Sequence, residues 1–301
     1  MAKTKSPILG LSASGSVGKS LTFQRRNRAT MVRAKPSPQD PRTLAQAYQR
    51  WDYQDYAAWW QTLTPVQKQQ WETDARRQKI TGFNYWMRSK LNTLPDLAAR
   101  WRLDILASGS TPDSSKNSNN LTVVGATPCD TLLGRGLLFD GVDDYLYHPN
   151  MPDDTIPHGN TPFSITGFIK FNALGKRQFL ITWGTYGAAH QVPIFEMTGT
   201  NWWSFHNWDQ GQAKSATPAP NLTDWFAFGA SYDLSNHRLY VKGECKATTP
   251  YNQADIGQTL LRVGTYGPTS LNVDAYLDNI VIHNRVLTPE DFKRHSERRY
   301  P

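Results

Sequence analysis

Three groups of residues have types and spacings that could do chemistry. Asp140, Asp143 and Asp144 crowd around Gly141. Oxygen-rich loops of this kind suit Ca²⁺, a hard cation that collects carboxylate and carbonyl oxygens. Short acidic side chains beside a glycine equally suit a tight turn closed by side-chain-to-backbone hydrogen bonds. The second group is the run Asn201-Trp202-Trp203-Ser204-Phe205-His206-Asn207-Trp208-Asp209-Gln210. Flat rings cover the C–H faces of a sugar while amides and carboxylates bind its hydroxyls, so Trp203, Trp208, Asn207 and Asp209 are the candidate glycan contacts. A strand points alternate residues inward, so Trp203 faces opposite to Trp202 and Trp208 and one set is expected in a core. The third group is Arg25, Arg26, Arg28 and Arg33, which suits an anionic partner or simply solvates the surface.

Other patterns point away from catalysis. Gly15-Ser16-Val17-Gly18-Lys19-Ser20 looks like part of a phosphate-binding loop, but Ala13 stands where that motif needs glycine. The following Leu21-Thr22-Phe23-Gln24 does not read as a helix whose N-terminus could hold phosphate. The seven His are scattered, no Ser/His/Asp arrangement stands out, and Cys129 and Cys245 lack the paired spacing of a zinc site. The expectation is a protein with no catalytic residues.

The elements that must hold these groups differ along the chain. Residues 1–102 carry 18 Lys/Arg against 6 Asp/Glu, a balance of +12, while residues 103–301 carry 15 against 19, a balance of −4. The first 15 residues lack the apolar run of a secretory signal, and no stretch is apolar enough to insert in a membrane. Residues 1–36 alternate apolar and polar around Arg25-Arg26-Asn27-Arg28 and read as a basic hairpin or extended arm. Residues 37–100 read as three helices. Asp40-Pro41 starts the first over 41–61, Thr64-Pro65-Val66-Gln67 is a capping box for the second, and Thr81-Gly82 separates a third that ends before Pro95. Trp51, Trp59, Trp60, Trp71 and Trp86 are expected to knit that small core. From residue 101 to 301, short apolar runs separated by Gly, Asn, Ser and Asp predict an antiparallel β-sandwich whose core is self-contained from residue 103. The expected fold class is therefore mainly β, a sandwich preceded by a basic β-hairpin arm and a small three-helix module.

Five runs of the last two-thirds, in order, resemble signatures of the LamG/concanavalin A-like jelly-roll family. They are Asp113-Ser114-Ser115-Lys116-Asn117, Gly136 to Tyr145, Phe163 to Lys170, Tyr232-Asp233 with Leu239-Tyr240-Val241-Lys242-Gly243, and Leu277 to Thr288. Phe168, Lys242 and Asn279 stand where Trp, Asn and Glu are usual in that family. The resemblance implies two packed antiparallel sheets, binding of carbohydrates or proteins rather than catalysis, and a calcium site near the opening loop that Asp113 could join. The Glu-containing strand motif of the family's hydrolases has no counterpart in the sequence. Pro38-Gln39-Asp40-Pro41-Arg42-Thr43, then Trp60-Gln61-Thr62-Leu63-Thr64-Pro65 and Gly82-Phe83-Asn84-Tyr85-Trp86, resemble a module of phage- and prophage-encoded proteins. Together these imply a phage virion structural protein, in many copies or as a homo-oligomer. Its N-terminal part would contact other capsid or tail proteins, and its sandwich would serve decoration or host-glycan adhesion. A free lectin with an N-terminal oligomerisation module is one alternative, and a nucleic-acid-associated protein using the basic arm is another.

Overall fold

The computed structural model describes the chain from Lys3 onward, except residues 5–12, 18–20, 27–28, 35–42, 105, 107, 149–154, 209, 259, 267–270 and 299–301. It divides into two compact units, Met1–Thr43 and Leu44–Pro301. The first contains four antiparallel strands in sequence order, β1 (Lys3–Thr4), β2 (Ala13–Val17), β3 (Leu21–Arg26) and β4 (Ala29–Ala34). The sequence predicts a hairpin here; the backbone extends it to a four-stranded meander. Arg25 and Arg26 end β3 opposite Thr30 and Ala29, Arg33 pairs with Thr22, and Arg28 lies outside the described residues. This unit holds 9 Lys/Arg against 1 Asp/Glu, so residues 44–301, with 24 of each, are neutral and the net +8 of the chain sits in the first 43 residues.

The second unit opens with α1 (Leu44–Thr62), α2 (Pro65–Ala75) and α3 (Gly82–Thr93). Thr64 and Gln67 form the expected capping box, and Thr81 accepts from the Asn84 N–H to start α3. Gly82 is required by packing, because a Cβ there would lie 2.7 Å from the Glu72 backbone nitrogen. Trp86 is the hub of the helical core, with Trp59, Trp71 and Trp60 rings 5.1, 5.2 and 5.9 Å away. Trp51 leaves that cluster and instead meets Tyr48 and the Arg298 guanidinium.

Two antiparallel sheets follow. The strands are β5 (Leu97–Trp101), β6 (Ser110–Thr111), β7 (Leu121–Val124), β8 (Thr127–Thr131), β9 (Gly134–Asp140), β10 (Tyr145–His148), β11 (Phe163–Phe171), β12 (Gln178–Gly184), β13 (Pro193–Met197), β14 (Trp203–Asn207), β15 (Gln210–Ser215), β16 (Phe226–Tyr232), β17 (Asn236–Val241), β18 (Glu244–Pro250), β19 (Leu260–Val263) and β20 (Asp274–His283). One sheet runs β15-β14-β13-β12-β19-β10-β7-β6; the other runs β18-β17-β16-β11-β20-β9-β8, with β5 added to β20 beyond β9. The inward residues of both, among them Phe139, Phe163, Trp183, Phe195, Trp203, Phe205 and Leu277, form one continuous core. Three fully buried indoles each donate to a loop carbonyl: Trp101 to Asn119, Trp183 to Pro157 and Trp203 to Pro218, at 2.6, 2.9 and 2.9 Å. Each ring thus fills the core and fixes a connection at its rim.

The expected boundary at residue 100/101 falls inside β5, and the helices do not stand apart from the sandwich. Asp52 of α1 holds Arg100 of β5 at 2.6 Å. Asp55 meets His295 at 3.0 Å and Arg298 at 2.5 Å, both contributed by α4 (Pro289–Ser296) and the turn after it. Tyr56 donates to Asp96, which Arg285 also holds at 3.2 Å. These groups are largely buried, so removing one partner strands a charge out of water. The sandwich is therefore not self-contained from residue 103: a fragment starting there loses β5, Trp101 and every carboxylate of α1. Residues 44–301 are expected to fold alone, whereas 103–301 should fail to give a cooperative melt. In the intact chain, Asp55→Asn should cost about 3–5 kcal/mol by urea unfolding.

The buried titratable groups give stability a definite pH profile. Burial pushes His237 down to about 4, and burial also lowers His283 and His295, the latter helped by Arg298. A histidine held neutral stabilises fully above its ordinary 6.5 and progressively less as pH falls below it, because the unfolded chain takes the proton first. Burial opposes ionisation of Asp55 and Asp96, yet Arg298 and His295 beside the first, and His283 and Arg285 beside the second, hold both below the ordinary 3.8. Their contribution is present above that value and lost below it. Asp278 acts in the opposite sense. Burial pushes it up to about 7, so its contribution is full below 3.8 and lost as pH rises toward 7. The melting temperature should peak near about pH 6.5 and fall toward pH 4. Asp278→Asn should steepen the acid side, as thermal melts across this range would show.

Candidate functional site

The face of the β15-to-β6 sheet that points away from the core is built in rows by strand register. One row runs Tyr147, Arg262, Thr182, Ile194 and His206 across β10, β19, β12, β13 and β14. The next runs Phe179, Glu196, Ser204 and Lys214. Strand alternation produces this: Leu261 and Val263 on either side of Arg262, and Phe195 and Met197 on either side of Glu196, face the core. Loops after three strands then bring aromatic rings over the rows. Trp208 stacks on Tyr266, 5.0 Å between centroids and 17° between planes, and Tyr186 lies 4.9 Å from Tyr266. All three are half-buried and pack on Phe179, Val192 and Ile194.

Charge on this face is arranged unevenly. Glu196 is 1% exposed, and Arg177 grips it at 2.6 and 3.2 Å while His206 Nε2 lies 3.3 Å away. That ring is too poorly aligned for a hydrogen bond. Burial opposes the charge on Glu196, but His206 and Arg177 outweigh it and keep the carboxyl below its ordinary value. Glu196 is the one carboxylate in the two rows, and glycoside hydrolysis generally uses a pair flanking the bond. Arg262 donates to the Tyr266 carbonyl at 2.5 Å and lies over the Tyr186 ring at 5.2 Å. Lys214 lies over the exposed Trp202 ring at 5.1 Å.

The candidate glycan residues separate accordingly. Trp203 is corrected from ligand contact to core: it is fully buried between Phe171 and Phe226, with its N–H spent on Pro218. Asn207 is also fully buried and donates to the His190 carbonyl at 2.7 Å, so it fixes a loop rather than meeting a ligand. Trp208 stays on the outer face, and Asp209 lies outside the described residues. Sequence reasoning missed Arg262, Tyr186, Tyr266, Tyr147 and the Arg177–Glu196 pair. Arg262 was marked by its place between Leu261 and Val263, a charge at the outward position of an apolar strand. Tyr186 and Tyr266 carried no such mark.

The acidic loop is compact. Ligand atoms of Asp140, Asp143 and Asp144 lie within 4.8 Å of one another. The Asp140 N–H donates to Asp144 at 2.8 Å, and the Val142 N–H donates to the Asp140 carboxylate at 2.8 Å, so two of the three also shape the turn. Gly125 is required beside them, since a Cβ there would lie 1.9 Å from Asp144 Oδ1 and its φ is +75°. Burial, then the charges of Asp140 and Asp143, raise the Asp144 pKa. The donor set fits a hard cation that would relieve this repulsion. Asp113 does not join it. Its carboxylate accepts from the backbone of Arg100, Ser115 and Asn119 at 2.8, 2.8 and 3.0 Å and closes the opening loop onto β5.

The family model Laminin_G_3, described as the concanavalin A-like lectin/glucanases superfamily, matches residues 140–292. No curated protein sequence matches the chain. Among solved structures, Trypanosoma rangeli sialidase is 13% identical, with 67% of this chain and 32% of that one covered and a TM-score of 0.52. The receptor-binding domain of botulinum neurotoxin D is 12% identical, covering 67% and 52% at a TM-score of 0.53. The binding domain of Paraclostridial Mosquitocidal Protein 1 is 15% identical, covering 67% and 52% at 0.53. At these identities the likeness is one of fold. The chain spans about a third of the sialidase and about half of the two toxin domains.

The turn and cation roles of the acidic loop make opposite demands on Asp143. In chelator, Asp143→Asn should raise the melting temperature by relieving like charge. Asp144→Ala should cost about 1–3 kcal/mol through the lost loop closure. If the cluster holds Ca²⁺, millimolar Ca²⁺ stabilises the parent chain and turns Asp143→Asn into a loss; scanning fluorimetry reads both signs.

Proposed function

The chain belongs to the concanavalin A-like lectin/glucanases superfamily, and from that premise we propose that its sandwich is a non-enzymatic glycan-binding domain displayed on a phage virion. The observation that carries the glycan reading is the half-exposed Trp208–Tyr266–Tyr186 cluster beside a row of fixed polar groups. Rings that are held by packing lose little freedom when a sugar lies on them, and the Arg177–Glu196 pair offers preset hydrogen-bonding groups. The botulinum neurotoxin D and mosquitocidal-protein domains that share the fold are named for binding, which supports a receptor role for this sandwich. Residues 1–43 take the anchoring role. They form a separate unit with most of the uncompensated positive charge, and they adjoin the segments that resemble a phage module. Anchoring in many copies would convert weak single-site binding into useful avidity. Ca²⁺ at Asp140, Asp143 and Asp144 is proposed as a structural ion for the sandwich.

On a glycan array probed with multimerised chain, Trp208→Ala and Tyr266→Ala should each weaken the strongest signals about fivefold, the equivalent of about 1 kcal/mol per ring. Circular dichroism should stay unchanged in both. Retained binding in both variants would move the site off this face. Mass spectrometry of purified particles should find the chain together with capsid or tail proteins; its consistent absence from particles would overturn the virion placement.

A further inference from the structure

The two arginines on the outer face are not equivalent. Arg177 is neutralised by Glu196 beneath it. Arg262 stands in its row between Tyr147 and Thr182, and none of the ion pairs among the described residues includes it. One of its N–H groups serves the Tyr266 carbonyl, and its flat side lies on Tyr186. A guanidinium carries five N–H donors in a planar fork that matches carboxylate and sulfate oxygens. Half-burial among aromatic rings removes part of its water and makes an approaching anion more valuable there than on an open surface. Lys214, at the far end of the second row, is also without a carboxylate partner among the described residues. Counting Arg177, Arg262 and Lys214 against Glu196, these groups of the face carry an excess of two positive charges, in a unit that is neutral in total.

We infer that the ligand is an acidic saccharide whose carboxylate or sulfate is bound by Arg262 while its sugar ring lies on the Tyr186–Tyr266–Trp208 cluster. The inference rests on the glycan-binding reading above and narrows it. The rings are contiguous with the charge: Arg262 touches Tyr186, Tyr186 touches Tyr266, and Tyr266 stacks on Trp208. One residue of a uronate, a sialylated or a sulfated chain can therefore meet both. A neutral sugar would meet the rings and leave the guanidinium paired only with solvent and the Tyr266 carbonyl.

The test uses the full chain, multimerised, on matched glycan pairs: sialylated against asialo, uronate against its methyl ester, and sulfated against desulfated. The acidic member of at least one pair should be retained at least tenfold more strongly, and that preference should shrink as salt is raised. Arg262→Gln should bring the acidic member down to the level of its neutral partner, Arg262→Lys should keep part of the preference, and Trp208→Ala should lower both members alike. The pair that responds identifies the anion as carboxylate or sulfate. Equal retention of neutral and acidic members, or a preference untouched by Arg262→Gln with an unchanged melting curve, overturns the acidic assignment alone. Retention of no glycan overturns the glycan reading on which it stands.

Discussion

Strand β20 is paired along both edges and buried over most of its length. β11 runs along one edge, β9 and then β5 share the other, Leu277, Ile280 and Ile282 enter the core, and His283 meets His295 of α4. A strand buried on both faces usually reads as continuous apolar sequence. This one carries Asp278, Asn279 and His283, all nearly inaccessible. Polar groups of α1 tie into the residues around it: Asp52 and Asp55 pair with Arg100 and Arg298, and the Tyr56 hydroxyl donates to Asp96. Asp278 has Thr131 and the Leu133 N–H instead of a cation, and it keeps its proton to about neutral pH. The helices and the sandwich are joined into one unit by these α1 pairs with β5, Asp96 and the C-terminal turn.

That arrangement assigns the two sheets different work. The β18-to-β8 sheet gives much of its outer face to the helices and to α4, whose Phe292 stacks on Tyr240 at 3.7 Å. On the outer face of the β15-to-β6 sheet, the loop residues Tyr186, Trp208 and Tyr266 pack on Phe179, Val192 and Ile194. Aromatic and charged residues gather there without unfolding the domain because they are held by packing: Tyr186, Tyr266 and Trp208 rest on Phe179 and Ile194, and Arg177 rests on Phe179. A face that is rigid and partly dehydrated before any ligand arrives is what weak, geometry-dependent recognition requires.

What the sequence showed and what it hid follow from the range of each interaction. Thr64 with Gln67 and Thr288 with Pro289 announce helix starts because a capping box is closed within four residues. The strands from Phe163 to Phe171 and from Asp274 to His283 are legible because burial alternates or saturates along them. The opposition of Trp203 to Trp202 and Trp208 was legible too; which side faced the core was not, since that depends on Phe171 and Phe226 from other strands. The pairing of Asp55 with Arg298 spans 243 residues, so no local pattern could reveal that the helices belong to the sandwich. The Tyr186–Tyr266–Trp208 cluster is hidden for the same reason, being assembled from three loops. Asp113 had the right residue type for a metal ligand, but its oxygens are consumed by its own loop.

The acidic turn belongs to this logic of long-range closure. It is the connection by which the chain leaves β9 in one sheet and enters β10 in the other. Two further crossings meet it. Lys176, between β11 and β12, reaches Asp274 at 3.6 Å and the Gly141 carbonyl at 3.4 Å. Asn272, between β19 and β20, donates to the Val142 carbonyl. Asn172 and Gln178 then bond the backbone of Asp274 itself, at 2.9 and 2.8 Å. Three inter-sheet connections are thus tied at one end of the sandwich by hydrogen bonds around residues 140–144. A cation there would not create the tie; it would add charge neutralisation to a junction whose geometry the backbone already sets. The Asp140 and Asp144 carboxylates accept from backbone N–H groups within this turn, so they shape the connection that leads into β10, the strand that places Tyr147 beside Arg262.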